Sequence, residues 1–429
     1  MGSYYTNALF NIAAVSAKDG SDGVFMSRNP LDVTPCAVTV VFSSKDETGN
    51  ERVDGFLRAS SSWDPVLQVA GFHRPPLWQR AWVLQECLLS SRMLRFSDMQ
   101  MSWKCRMGEA SEMIPEGSGK HADMSHEDEI LRLVLMGLKK FQPQGQEHER
   151  INSLWDEREE IARYEYGTQG ELFQLYDAWY DLVTLYTKCT LTIASDIFPA
   201  ISGIASAISS STHETYVAGL WLRDLHRGLL WSAPDSTNSK PDLREYRAPS
   251  WSWASLKATC NFYVRQISQK GMKVSTDAFV ITRVIPQAPH EFPFGRAGVG
   301  TLEVIGLLKK AHPMDTDAGL PQEDVFKNIL HRMETLFDLK ERRAVGWYFA
   351  DNIDRKYLSE VFCCPIMTEE RLPRQGEILL NGQSRVVEAR GVALLPLDRS
   401  RKIFMRVGSL WIRDASWFEG CEMELFSII

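Results

Sequence analysis

The chain has 429 residues, 44% hydrophobic and 24% charged, with a formal net charge of −7. That is the composition of a globular protein with a sizeable core, and at roughly 150 residues per domain it holds two or three domains. The acidic balance excludes a surface built to neutralise phosphates, so no nucleic-acid partner is expected. No apolar stretch reaches the ~20 residues of a membrane span, so none is expected.

The eight cysteines are scattered, with no C-x-x-C pair and no Asn-x-Ser/Thr site. This favours a reducing compartment, and the expected location is cytoplasmic. The N-terminus, MGSYYTNALF, has neither a basic n-region nor an apolar h-region. Gly2 and Thr6 formally fit a myristoylation pattern, read here as chance because no polybasic stretch supports it.

In chain order, Tyr4, Tyr5 and Ala8 sit at helical spacing, and Leu9–Val15 is a short apolar run that fits a buried strand. A dense turn signal follows at Lys18–Gly23. Ala37–Phe42 reads as a β-branched strand and residues 43–62 as a polar loop. Arg74-Pro75-Pro76 opens a helix, because proline's missing N–H costs nothing in the first turn. Trp78, Ala81, Trp82, Gln85 and Leu88 continue it on one face. Met93–Phe96 and Met101–Cys105 predict two short strands.

Residues 108–170 are polar and acid-leaning and read as a helical connector, with helices from Ser125 to about Phe141 and from Glu147 to Tyr166. A helix over about Glu171–Thr187 is expected to bury Leu172, Leu175, Tyr176, Trp179, Leu182, Val183 and Tyr186. Further helices are expected at 196–209 and 214–230. Past Tyr246 the pattern switches. Arg247–Ser255 alternates large and small residues as a strand does, and strands dominate to the end. The expected domains are therefore 1–107, a connector at 108–170, a helical region at 171–245, and a β-rich domain at 246–429, a sandwich or open barrel.

Several chemistries are absent. Gly117-Ser118-Gly119-Lys120 lacks the upstream glycine of a phosphate-binding loop, and His121 stands where that motif needs a hydroxyl. There is no H-E-x-x-H and no G-x-S-x-G. His121 and His126 read as a solvated helix start, and no metal is expected. Cys363 and Cys364 read as buried strand residues.

The informative segment is Arg80-Ala81-Trp82-Val83-Leu84-Gln85-Glu86, followed by Leu88, Ser90, Arg92 and Phe96. It resembles the R-x-W-T-x-Q-E block of the fungal heterokaryon-incompatibility (HET) domain, with Val83 in place of threonine. Tyr5, Ala8, Ile12, Ala13 and Ala14, then Asp19-Gly20, are similar to the segment before that block. Downstream, Tyr176-x-x-Trp179-x-x-Leu182-Val183-x-x-Tyr186, Ala218-Gly219-Leu220-Trp221 and Ala248-Pro249-Ser250-Trp251-Ser252-Trp253-Ala254-Ser255 resemble further family blocks in the family's order. The family's opening A-L-S-Y-x-W-G and W-I-D-x-x-C-I-x-Q segments have no counterpart here, so the expectation is an N-terminally truncated member.

The resemblance implies a partial Toll/interleukin-1 receptor (TIR)-like, flavodoxin-like α/β domain followed by a helical region and an all-β domain. It implies a role in nonself recognition and programmed cell death, with a protein partner. Trp82-x-Leu84-x-Glu86 also looks like the W-x-L-x-E of plant TIR domains, whose glutamate cleaves NAD. On that likeness Glu86 is the candidate catalytic residue, NAD the candidate substrate, and Arg80, Trp82, Leu84 and Gln85 its supporting residues. A carboxylate beside the ribose could stabilise an oxocarbenium-like centre as the cationic nicotinamide leaves. The plainer expectation is that Trp82 is a core residue and Glu86 pairs with Arg80 or Arg92, and that any NAD pocket in this chain is incomplete. An inactive remnant is the third alternative.

Overall fold

The computed structural model describes residues 2–29, 36–39, 44–45, 51–52, 56–59, 75–105, 108–117, 167–233, 246–262, 273–285, 294–295, 300–314, 333–351, 358–373 and 385–429. The helices expected in the connector lie outside the described residues. The chain divides into two compact units, Met1–Arg132 and Leu133–Ile429. The regions expected at 171–245 and 246–429 thus belong to one unit.

In the first unit, α1 (Gly2–Asn7) leads into β1 (Asn11–Ala14). The antiparallel pair β2 (Cys36–Thr39) and β5 (Phe56–Ala59) encloses the shorter pair β3 (Ser44–Lys45) and β4 (Glu51–Arg52). A 3-10 turn at Pro76–Gln79 precedes α2 (Ala81–Leu89). Then come β6 (Arg92–Phe96), β7 (Met101–Cys105) and β8 (Gly108–Ser111). The sheet order is β1-β6-β7-β8. Only β1 and β6 run parallel, with Asn11 opposite Met93. A parallel pair cannot be closed by a tight turn, and α2 supplies part of the required crossover.

Two expectations change here. The sheet is mixed, because β7 and β8 return antiparallel through short turns, so the described residues do not show the parallel flavodoxin-like sheet. The helix from Pro76 is also interrupted: Arg80 is extended, at φ −91° and ψ 125°, so Gln79 is not on the helical face of Trp82 and Glu86. Ala13, Val15 and Met93 form a small core with Leu77, Trp78 and Cys87 packed on it.

The first described element of the second unit is α3 (Gly167–Thr187), whose buried face carries Leu175, Tyr176, Trp179, Leu182, Val183 and Tyr186 as the 3.6-residue period requires. After α4 (Ser202–Thr212), the stretch expected to be helical from 214 to 230 is instead a tight hairpin. Its strands are β9 (Tyr216–Val217) and β10 (Leu220–Trp221), followed by the single turn α5 (Leu225–Gly228) and β11 (Trp231–Ser232). Ala218 at φ 46° and Gly219 at φ 93° make the reversal. The expected strand at Arg247–Ser255 is a turn closed by a 3-10 helix at Trp253–Ser255, where the Ser252 hydroxyl accepts from the Ala254 N–H. Alternation there places both indoles inward without any strand partner. β12 (Asn261–Phe262) pairs with β11.

The remaining strands are β13 (Lys273–Ser275), β14 (Phe279–Ile285), β15 (Thr301–Leu307), β16 (Lys309–Met314), β17 (Met333–Asp338) and β18 (Arg343–Ala350). β19 (Val361–Arg371), β20 (Val386–Asp398), β21 (Ile403–Ile412) and β22 (Met423–Ile428) complete them. Two three-stranded meanders, β16-β17-β18 and β19-β20-β21, close on each other through the β16–β19 and β18–β21 pairs. The result is a closed six-stranded antiparallel barrel, not a sandwich or open barrel. β13 flanks β19, while β22, β15 and β14 extend the sheet from β21. The barrel's interior is filled by Leu336, Tyr348, Val361, Val407, Leu410 and Ile412 among others. Strands can bend this tightly where glycine replaces a side chain: a Cβ on Gly391 would lie 2.9 Å from the Cα of Pro365. Cys363 and Cys364 lie near the start of β19 and are fully buried.

Candidate functional site

The resemblance motif of the first unit lies on α2. Ala81, Val83, Gln85 and Leu88 are its buried residues, so Gln85 is a core position. Val83, which stands where the HET block has threonine, is buried. Trp82 and Leu84 are half-buried and Arg80 is exposed at the helix start.

Glu86 is half-buried in the last turns of α2, and its partner is neither of the expected arginines. Tyr5 of α1 lies beside the Glu86 carboxylate. Burial first, and then this carboxylate, push the Tyr5 hydroxyl up to about 12, with Arg80 pulling the other way. Tyr5 therefore stays protonated and a donor across the whole physiological range. Arg92 instead donates to the Leu9 carbonyl at 3.3 Å. The Ser90 hydroxyl bonds back to the Glu86 carbonyl at 2.6 Å and receives the Asn11 amide. These ties join the end of α2 to the start of β1.

The opposite end of the parallel pair is held by Val15 N–H to Phe96 O at 2.7 Å and Ser16 to Asp98 at 2.7 Å. Open α/β sheets carry ligands outside the carboxyl ends of their strands. The Glu86 carboxylate faces α1 instead. Among the described residues β1 is the end strand of its sheet; its Ile12 is 59% exposed, and Leu9 just before it 74%.

The motif residues of the second unit converge. Trp179, Trp221, Trp231, Trp251 and Trp253 are all fully buried. The indole N–H groups of Trp179 and Trp253 both donate to the carbonyl of Gly219, at 3.0 and 2.9 Å. Ser252 Oγ donates to Ala218 O at 2.6 Å. Trp231 donates to Trp251 O and Trp251 to Gly300 O, at 3.0 and 3.2 Å. Trp179 meets Trp221 edge-on at 5.4 Å, and Tyr186 meets Trp253 at 5.9 Å. Three blocks far apart in sequence therefore share one interior, and each buried indole except Trp221 among these five has a named acceptor.

Two buried charge groups carried no sequence signal. Arg227 donates to Asp224 at 2.7 Å and to Asp177 at 2.9 Å, while Tyr180 donates to Asp224 at 2.6 Å. Burial raises the Asp224 carboxyl, opposed by Arg227. Arg406 on β21 meets Asp351 at the end of β18. Their partners lie 50 residues or more away in the cases of Asp177 and Asp351, beyond any local pattern.

Among the described residues, no group of three or more His, Cys, Asp or Glu could hold a metal ion. No helix among them is long and apolar enough to cross a membrane. Comparisons with protein families, curated proteins and solved structures returned no match to this chain.

Proposed function

We propose that the chain is a heterokaryon-incompatibility-type protein acting in nonself recognition and programmed cell death in the cytoplasm. The second unit is its partner-binding body, and the first is a partial HET-like effector piece. What carries this reading is the meeting of three resemblance blocks, around Trp179, Gly219-Leu220-Trp221 and Trp251-Ser252-Trp253, in one tryptophan-lined interior. Residues that fill one cavity together are expected to be inherited together, because replacing one leaves a void or an unpaired indole N–H. The test is induced expression of the full chain in a filamentous fungus, scored by growth arrest and vital-dye uptake. The expected result is death of expressing compartments. Accumulation of folded chain without any effect on growth would overturn the reading.

A second reading is supported by one observation: the Trp82-x-Leu84-x-Glu86 motif lies on a helix between two parallel strands, as the TIR-like likeness implies. In this reading Glu86 is the acid of a NAD glycohydrolase. Among the described residues β1 ends its sheet with Ile12 exposed, which supports the third reading, an inactive remnant. Nicotinamide release from NAD by the full chain, lost in Glu86→Gln, separates the second reading from the other two.

A further inference from the structure

We propose that Glu369 is an acid-operated clasp in the barrel wall: a proton taken up there tightens the β19–β20 ladder, and its loss loosens it. The inference concerns the second unit and is independent of what Glu86 does.

Glu369 of β19 and Glu388 of β20 stand directly opposite each other in register, and each is 4% exposed. Residues opposed across two strands carry their side chains on the same face, and like charges there destabilise the pair. The two carboxylates are unequally provided with donors. Glu388 Oε1 accepts from Nε and Nη2 of Arg371 at 2.9 and 2.6 Å, and its Oε2 accepts from the Trp411 indole N–H at 2.9 Å. Glu369 Oε1 is buried with no hydrogen-bond partner among the described residues. Arg390 of β20 approaches it only to 3.9 Å, an ion pair without a hydrogen bond, and lays its guanidinium 4.1 Å from the Trp411 ring centroid. On the other flank, β13 sets the apolar Val274 opposite Glu369. Among the described residues, the charged groups acting on Glu369 are thus Glu388 and Arg390 from β20 and Arg371 from its own strand.

Two buried carboxylates on one face resist being ionised together, and the member with fewer donors takes the proton. Burial above all raises the Glu369 carboxyl; Arg390 opposes the rise and Glu388 adds to it. The folded chain therefore keeps a proton on Glu369 at pH values where the unfolded chain has released it. The stability that Glu369 contributes is complete below the ordinary glutamate range and is lost as pH rises through the raised folded value. A protonated Glu369 also gains an O–H donor beside an ionised neighbour.

Opening of the ladder is read at Cys363 and Cys364, both fully buried in β19. Their labelling rate is measured in the folded full chain and in Glu369→Gln, whose neutral amide has the shape of the protonated acid. The ratio of the two rates at one pH cancels the ionisation of the thiols themselves. Glu369→Gln is expected to label roughly tenfold more slowly than the parent at pH 7.5 and within about twofold of it at pH 5. Equal ratios at the two pH values, or no slowing at pH 7.5, would overturn the clasp. Failure of Glu369→Gln to fold overturns it as well, because the amide stands in for the state said to hold the ladder more tightly.

Discussion

Arg406 lays its guanidinium on the indole of Trp231, 3.4 Å from the ring centroid, and from there reaches Asp351 and the carbonyls of Leu229 and Trp231. One side chain from barrel strand β21 thus satisfies the backbone of the segment that carries β11. The ion pair with Asp351 is almost fully buried, at 1% and 5% side-chain exposure.

Arg406→Met is expected to cost about 3–5 kcal/mol at neutral pH, because it strands a buried carboxylate. Burial already raises the Asp351 carboxyl, with Arg406 opposing it, and removing Arg406 raises it further. An acid whose folded pKa lies above its unfolded value penalises folding as pH rises through that window, and the penalty fades below it. The variant's deficit in urea denaturation is therefore larger at pH 7.5 than at pH 4.5. A deficit independent of pH would mean that Asp351 finds another partner.

Gly219→Ala is expected to lower stability by about 2–3 kcal/mol, from backbone strain and overpacking together. Gly219 has φ 93°, and a Cβ there would lie 2.8 Å from Cε2 of Trp253. The same residue's carbonyl receives two indole N–H groups, so tryptophan emission should shift to the red. Fluorescence-monitored denaturation reads both effects. An unchanged midpoint and spectrum would show that the hairpin tip is not the lock described above.

Gly391→Ala tests barrel closure. The added Cβ would meet backbone of β19, 2.9 Å from the carbonyl carbon of Cys364, and backbone cannot rotate away as a side chain can. The expected loss is about 3 kcal/mol, read as a lower urea midpoint of the second unit. Tolerance of the substitution would mean that β19 and β20 separate without cost.

Thiol labelling at pH 8 followed by peptide mapping should divide the cysteines. Burial pushes the Cys260 thiol up to about 12 and raises those of Cys363 and Cys364 as well, so none of the three should react in the folded chain. Cys87, Cys105, Cys189 and Cys421 are half-buried and should label first. Early modification of Cys363 or Cys364 would contradict their full burial in β19.

Local pattern made several elements legible. The face of α3 was readable from Leu175 to Tyr186, since a helix one side of which is buried repeats its apolar residues every 3.6 positions. The strands at β6 and β7 were readable in the same way from their composition and the turn between them. The same method misread Tyr216–Trp221 as helix and Arg247–Ser255 as strand. In both, apolar spacing reports that the side chains go inward, and says nothing about the turn chemistry of Ala218-Gly219 or Pro249-Ser250 that places them. In the first unit, the motif around Glu86 located a helix between strands, whereas the plainer expectation, that Glu86 pairs with Arg80 or Arg92, chose neighbours in the chain. Tyr5 is far off in the chain, whereas Arg80 and Arg92 are near.

By itself, the amino-acid sequence determined that the indoles of Trp179, Trp221, Trp251 and Trp253, too apolar to leave in water, go inside, whereas the run Leu9–Val15, expected to be a buried strand, leaves Leu9 and Ile12 exposed. It also determined that the chain ends in strands. Tertiary structure alone decided that two meanders close into a barrel, that Glu86 faces Tyr5, and that Arg406 meets Asp351. Burial is a property each side chain carries along the chain, whereas strand closure and charge pairing depend on which distant segment arrives opposite, and that is settled only when the whole chain packs.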